Sequence, residues 1–261
     1  MENLEVKLKQ YCESEQISGV VRVTFKDKIM YQSYFGYEND QSKTEFSENS
    51  MFSFYSMSKP LCAIGLLRLV DKGLVDLDAH PKKYLPEADG FNENVTIRHL
   101  LHHVSGLPDF EQNKDFSTCH KAGTGDKIRE QLKLLTKYPS YFEPNTKGMY
   151  ANINFVIPAL IIENVTGFGY ADYMEKEVFE PLGMKTALVD NVNLFVENRV
   201  QGYALENGER IPIEKAYDWM LGAGDVVGTV NDAYCLNLAM PMCVLFSVCP
   251  DGKAISTAAP K

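Results

Sequence analysis

Residues 56–73, SMSKPLCAIGLLRLVDKG, place apolar side chains on nearly every face of a helix. A helix of that kind must be covered on all sides, so the rest of the chain has to wrap it. Pro60 fits only in the first turn, which predicts a helix starting close to Ser56. Gly73 supplies the C-terminal stop. With 261 residues, 45% of them hydrophobic, the chain is long enough to bury such an element and is not a disordered one. It reads as a single domain over 1–261. The longest apolar run, 155–162, has eight residues and contains a proline. That is far short of the roughly 20 needed for a membrane span. Acidic residues outnumber basic ones 35 to 26, a net charge of −9, and Lys82-Lys83 is the only adjacent basic pair. Such a balance argues against nucleic acid and anionic membranes as partners.

Around this helix the pattern is strands first, then a long helical middle. Residues 4–12 have helical spacing, and 20–25 and 29–35 flank a short polar turn as a hairpin. Further helices are expected at 96–103, 126–137, 152–164 (kinked at Pro158, ended by Gly167) and 171–179. Short strands follow near 202–205 and 210–213, then a Gly-rich turn at 221–224. This order predicts an α+β chain whose sheet draws strands from both ends, with a mostly helical region of about 75–190 inserted. Six scattered cysteines without a CxxC pair read as reduced thiols. The N-terminus, MENLEVKLKQ, has no apolar signal core. As given the sequence reads as cytoplasmic; a leader already removed would make it periplasmic or extracellular.

Three groups of residues carry chemistry. Ser56 and Lys59 form an S-x-x-K match, a spacing that puts both side chains on one helical face. The helix dipole favours developing negative charge there, burial lowers a lysine pKa, and a neutral amine can then take the serine proton. The local sequence also fits Ser56 as an N-cap with Lys59 on the surface of the first turn. Tyr150 and Asn152 form a Y-x-N match at the mouth of the apolar 152–164 segment. A phenol near a cation relays protons, and the amide orients a substrate or holds the lysine. A second copy, Tyr37-Glu38-Asn39, reads as a turn. His99, His102 and His103 read as packing or hydrogen-bonding residues, because no third ligand stands at metal-binding spacing. No metal and no cofactor is expected.

Five segments in order resemble the class C β-lactamase-like branch of the serine β-lactamase and penicillin-binding protein superfamily. They are FSFYSMSKP, VTIRHLLHHVSGLPDF, EPNTKGMYANINFVIPALIIENVTG, VFEPLGMKTA and LGAGDVVGTVNDAY, over about 18–235. The resemblance implies a β-lactamase/transpeptidase-like α+β fold. It implies acylation of Ser56 with Lys59 assisting, Tyr150 as general base and Asn152 on the substrate amide. The backbone N–H of Ser56 would serve as one oxyanion donor, and His103 matches a structural histidine.

The departures from that pattern also matter. Ala151 replaces the serine of Y-S-N, and Asp225 stands where a second glycine is common. The tail, 241–261, lacks the K-T-G or H-x-G motif of the family, as after a truncation or frame change near residue 240. Its 244–248 and 254–257 runs predict a hairpin that replaces the family strands; otherwise pairing comes from a second copy in a homo-oligomer. The leading expectation is a serine hydrolase acting on β-lactams, D-alanyl peptides or small esters. The alternatives are a catalytically impaired relative that binds peptide-like ligands or a partner protein, and a metal-dependent hydrolase using the histidines.

Overall fold

The structure is a computed structural model, which describes residues 2–15, 17–25, 28–110, 125–191, 194–207, 209–213 and 220–242. The expected tail hairpin and three of the cysteines lie outside them. The chain opens with α1 (Glu2–Ser14) and the antiparallel hairpin β1 (Gly19–Phe25) and β2 (Lys28–Phe35). Lys28 belongs to the second strand, opposite Phe25, rather than to the turn. Cys12 on α1 is buried and free of any disulfide, as are Cys62 and the half-buried Cys235. The Tyr37–Asn39 copy of Y-x-N is a strand, β3, paired with β4 (Thr44–Glu45).

Next come β5 (Phe52–Ser53) and α2 (Ser58–Asp71). The helical middle follows as α3 (Ile97–Leu101), α4 (Gly125–Leu135), α5 (Ile153–Thr166) and α6 (Tyr170–Met174). The helix expected at 171–179 is α6 running into a single π-helical turn, Glu175–Phe179, and a last short piece, α7 (Glu180–Leu182). Then follow β6 (Leu188–Val189), the hairpin β7 (Tyr203–Glu206) and β8 (Glu209–Pro212), β9 (Val226–Gly228) and α8 (Val230–Met242). The order β5-β9-β6, all antiparallel, joins an early strand to two late ones around the helical insertion. Among the described residues the N-terminal hairpin pairs only with itself.

The core is centred where α2 packs on α5. Leu61, Leu66 and Leu69 of α2 and Ile157, Leu160 and Ile161 of α5 are all buried to within a few per cent. Each fully buried side chain of this size contributes about 1.5–3 kcal/mol of transfer free energy. That is the wrapping which an all-apolar helix demands. Pro158 sits inside α5, which continues unbroken to Thr166. The sharp bend comes later: Gly167 adopts the left-handed conformation (φ 71°), and the next helical stretch leaves at 87°. Among the described residues no single helix is long and apolar enough to cross a membrane.

Candidate active site

The nucleophile candidate lies just outside α2. Tyr55–Met57 form one 3-10 turn, and α2 begins at Ser58. A 3-10 turn eclipses residues three apart, so Ser56 and Lys59 face the same way. Lys59 Nζ lies 3.0 Å from Ser56 Oγ. The N-cap position of α2 is Met57, which removes the capping role for Ser56, and Lys59 is only 3% exposed, which removes the surface role for the amine. Tyr55 enters the turn at φ 46°, a left-handed value that a bulky residue rarely adopts.

Tyr150 arrives from the loop before α5, its Oη 2.5 Å from Ser56 Oγ. Its ring is stacked on His103 at 4.5 Å between centroids and lies 4.7 Å from Lys59 Nζ. Asn152, the N-cap of α5, is buried and accepts from Lys59 Nζ through Oδ1 at 2.8 Å. The carbonyl of Ala223, in the Gly-rich turn, accepts from the same amine at 2.7 Å. Two acceptor-only oxygens therefore take two N–H bonds of Lys59, and the third direction points at Ser56 Oγ. The serine hydroxyl, itself exposed, has an amine on one side and a phenol on the other.

Four supporting residues were not singled out from the sequence. Asp109 caps α5 from 43 positions away: Oδ2 accepts from Asn152 N (2.7 Å) and Oδ1 from Ile153 N (3.1 Å). Burial pushes its carboxyl up, while the N–H donors of Asn152, Ile153 and Phe110 hold it down. An anion there also suits the positive end of the helix dipole. Ser58 Oγ accepts from Val226 N (3.0 Å), and Phe54 N donates to Val226 O (2.8 Å), so β9 grips the chain on both sides of Ser56. Asn154 faces His103 Nδ1 at 3.1 Å, and its Oδ1 accepts from Ser105 Oγ at 2.6 Å. Only the loop Asp109 had a signal, an acidic residue after the Pro turn; the others read as ordinary core or turn positions.

His99 and His103 make structural contacts. His99 closes a reciprocal capping box with Thr96 at the start of α3. His103 accepts from Ala151 N at 3.3 Å, which leaves its proton on Nε2. Burial, then the Lys59 charge, lowers its pKa to about 4, so a neutral ring backs the phenol at neutral pH. Among the described residues no three His, Cys, Asp or Glu side chains converge as a metal site. Burial pushes the Cys62 thiol up to about 12, which leaves it protonated and unreactive.

An exposed serine between a buried lysine and a tyrosine, at the junction of a helical region and a small antiparallel sheet, is the arrangement the sequence segments pointed to. Residues 4–236 match the family model described as Beta-lactamase, and the chain belongs to that family of hydrolases. It is 38% identical over 197 residues to penicillin-binding protein 4* of Bacillus subtilis (strain 168), covering 74% of this chain and 42% of that protein. It is 31% identical over 185 residues to esterase EstB of Burkholderia gladioli, covering 66% of this chain and 47% of that one. A crystal structure of a penicillin-binding protein from Bacillus halodurans superposes with a TM-score of 0.79 at 24% identity, over 92% of this chain and 74% of that chain. That likeness establishes the β-lactamase/transpeptidase fold. The chain spans less than half the length of these two curated relatives.

Proposed function

We propose that this protein is a serine hydrolase that forms an acyl-enzyme at Ser56 and acts on β-lactams, D-alanyl peptides or small esters. The observation that carries the reading is the pair of distances at Ser56 Oγ, 2.5 Å to Tyr150 Oη and 3.0 Å to Lys59 Nζ. Nucleophile and base at hydrogen-bond reach, with the base oriented by a third group, is what an activated hydroxyl requires. In this reading Ser56 Oγ attacks the substrate carbonyl and its proton passes to Tyr150, the general base, whose ring lies against the Lys59 amine. The tetrahedral intermediate collapses with loss of the amine or alcohol, which takes that proton from Tyr150. Water then attacks the ester carbonyl while its proton passes to Tyr150; the C–O bond to Ser56 breaks and Ser56 Oγ takes that proton back. The Ser56 N–H stabilises the oxyanion, and Asn152 Nδ2, which has no partner among the described residues, contacts the substrate amide. Tyr55 and Met57, 43% and 46% exposed beside Ser56, offer an apolar rim for the acyl side chain. The relatives named above, a penicillin-binding protein and an esterase, support acyl-transfer chemistry on peptide-like or ester carbonyls.

Intact-mass analysis after incubation with a fluorophosphonate, a penicillin and a p-nitrophenyl ester tests this. The expected result is one covalent adduct on the wild type and none on Ser56→Ala. Equal labelling of both proteins, or labelling of neither, defeats the reading.

A further inference from the structure

Lys59 takes one of its partners from a turn that no motif assigned to the site. The turn is wedged between the two core helices: a Cβ at Gly222 (φ 72°) would stand 2.7 Å from Phe155 O on α5 and 2.9 Å from Cys62 Sγ on α2. Met220 O accepts from Ala223 N (2.7 Å) and Gly224 N (2.9 Å). Asp225 Oδ2 accepts from Gly222 N (2.8 Å) and closes the turn from its other end. These bonds hold the Ala223 carbonyl where Lys59 Nζ donates to it. Beyond Asp225 the chain runs straight into the Val226 contacts that flank Ser56.

Asp225 is out of place by ordinary packing rules. It is 7% exposed, and its Oδ1 is buried with no hydrogen-bond partner among the described residues. Its position is one where the family resemblance leads to a glycine. A buried carboxyl with an unpaired oxygen burdens a fold and calls for an explanation. The titratable and charged groups that face it are Lys59 and Cys62 of α2, Tyr170 of α6 and Asp190 at the end of β6. Lys59 is the one cation among them.

We propose that Asp225 is a positioning residue: its carboxylate fastens the 222–225 turn so that the Ala223 carbonyl holds the Lys59 amine against Ser56, and its charge sets the field in which that amine works. The kinetic consequence rests on acylation at Ser56; the effect on Lys59 does not. Burial pushes the Asp225 carboxyl up to about 7, with the Gly222 N–H and Lys59 opposing and Asp190 adding to the rise. Below that value the group is neutral. Above it the carboxylate grips Gly222 N–H with a charge-assisted bond and sets a negative charge facing Lys59, whose amine lies against Ser56 and the Tyr150 ring. Acylation therefore climbs as pH rises through neutrality, and part of that climb belongs to Asp225.

The test measures rates of Ser56 phosphonylation by a fluorophosphonate, with loss of fluoride, from pH 5.5 to 9 for wild type, Asp225→Asn and Asp225→Gly. Alongside, the Lys59 Cε resonance is titrated in protein carrying 13C-lysine and assigned through Lys59→Arg. Asn mimics the neutral acid. The expected result is a rate about five- to tenfold below wild type at pH 8.5, near wild type at pH 5.5, with the step near pH 7 gone. Asp225→Gly, which also loses the turn bond, should fall about tenfold at every pH. The wild-type Lys59 resonance should show an inflection near pH 7 that is missing from Asp225→Asn. A wild-type Lys59 resonance with no such inflection, or an Asp225→Asn variant that keeps both the inflection and the rate step, overturns the proposal. If no form is acylated, the hydrolase reading fails by itself, and the Lys59 titration still decides the role of Asp225.

Discussion

At its C-terminal end α2 carries Arg68 and Lys72, both bonded to Glu177 at 3.0 Å in a partly exposed cluster. At its N-terminal end, about 20 Å away by helical rise, it carries Lys59, which is buried and, among the described residues, bonded only to neutral oxygens. The foot follows the rules of stability: charges stay wet, opposite signs meet, and the helix stops at a left-handed glycine, Gly73 (φ 70°). The head breaks those rules together, with a strained Tyr55, an amine that has no bonded counter-ion among the described residues, and the half-satisfied carboxyl of Asp225. One helix thus has an end that holds the fold and an end that departs from those rules, and local rules fail in concert mainly at functional sites.

Substitutions at the two ends sharpen the contrast. The largest effect is expected from Tyr150→Phe, which removes the phenol and leaves the ring stacked on His103. Phosphonylation of Ser56 by a fluorophosphonate should fall about 10²–10⁴-fold, the range for a lost general base, with the thermal midpoint nearly unchanged. A normal rate would mean that the phenol is a bystander.

Asp225→Asn should raise stability at the head. The folded carboxyl titrates near 7 against about 3.9 in an unfolded chain, so the folded state holds its proton more tightly. Its contribution is therefore full below about pH 4 and lost as pH rises to 7. Denaturant titrations should show the variant more stable than wild type by about 2–4 kcal/mol at pH 8, and the gain should vanish toward pH 4. A gain that is the same at both pH values would rule out the carboxyl's ionisation as its source.

Glu177→Gln at the foot should matter least. Hydrogen bonds from Lys72, then Arg68, hold the Glu177 carboxyl below its usual value, so its contribution is present above the ordinary glutamate range and lost on acidification. Partly exposed ion pairs contribute about 0.2–1 kcal/mol, and that is the loss expected at pH 7, with acylation untouched. A loss as large as that at a core position would erase the distinction between the two ends.

Much of the site was legible because S-x-x-K stood at the head of a helix that could only be buried. Tyr150 and Asn152 were legible from their place before a second apolar helix and from the order of the family segments. What escaped was chemistry done by the backbone. The Ala223 carbonyl and the Val226 N–H have no side-chain signature, and Asp109 acts on residues 43 and 44 positions later. The 3-10 turn that aligns Ser56 with Lys59 and the π-turn after α6 leave no periodicity of their own. Strands β5 and β6 are two residues each, too short for alternation to show. The strands 203–206 and 209–212, four residues each, lie within one residue of their expected bounds, but their pairing as a hairpin was not read from the sequence.

A double-substitution cycle probes most directly whether Ser56, Lys59 and Tyr150 act as one unit. Rates of phosphonylation by a fluorophosphonate would be measured for wild type, Lys59→Ala, Tyr150→Phe and the double variant. Groups that share a single proton path are strongly non-additive, so the double variant should be no slower than the slower single one. Losses that multiply in full would show two independent residues beside the serine and would contradict the shared machinery described here.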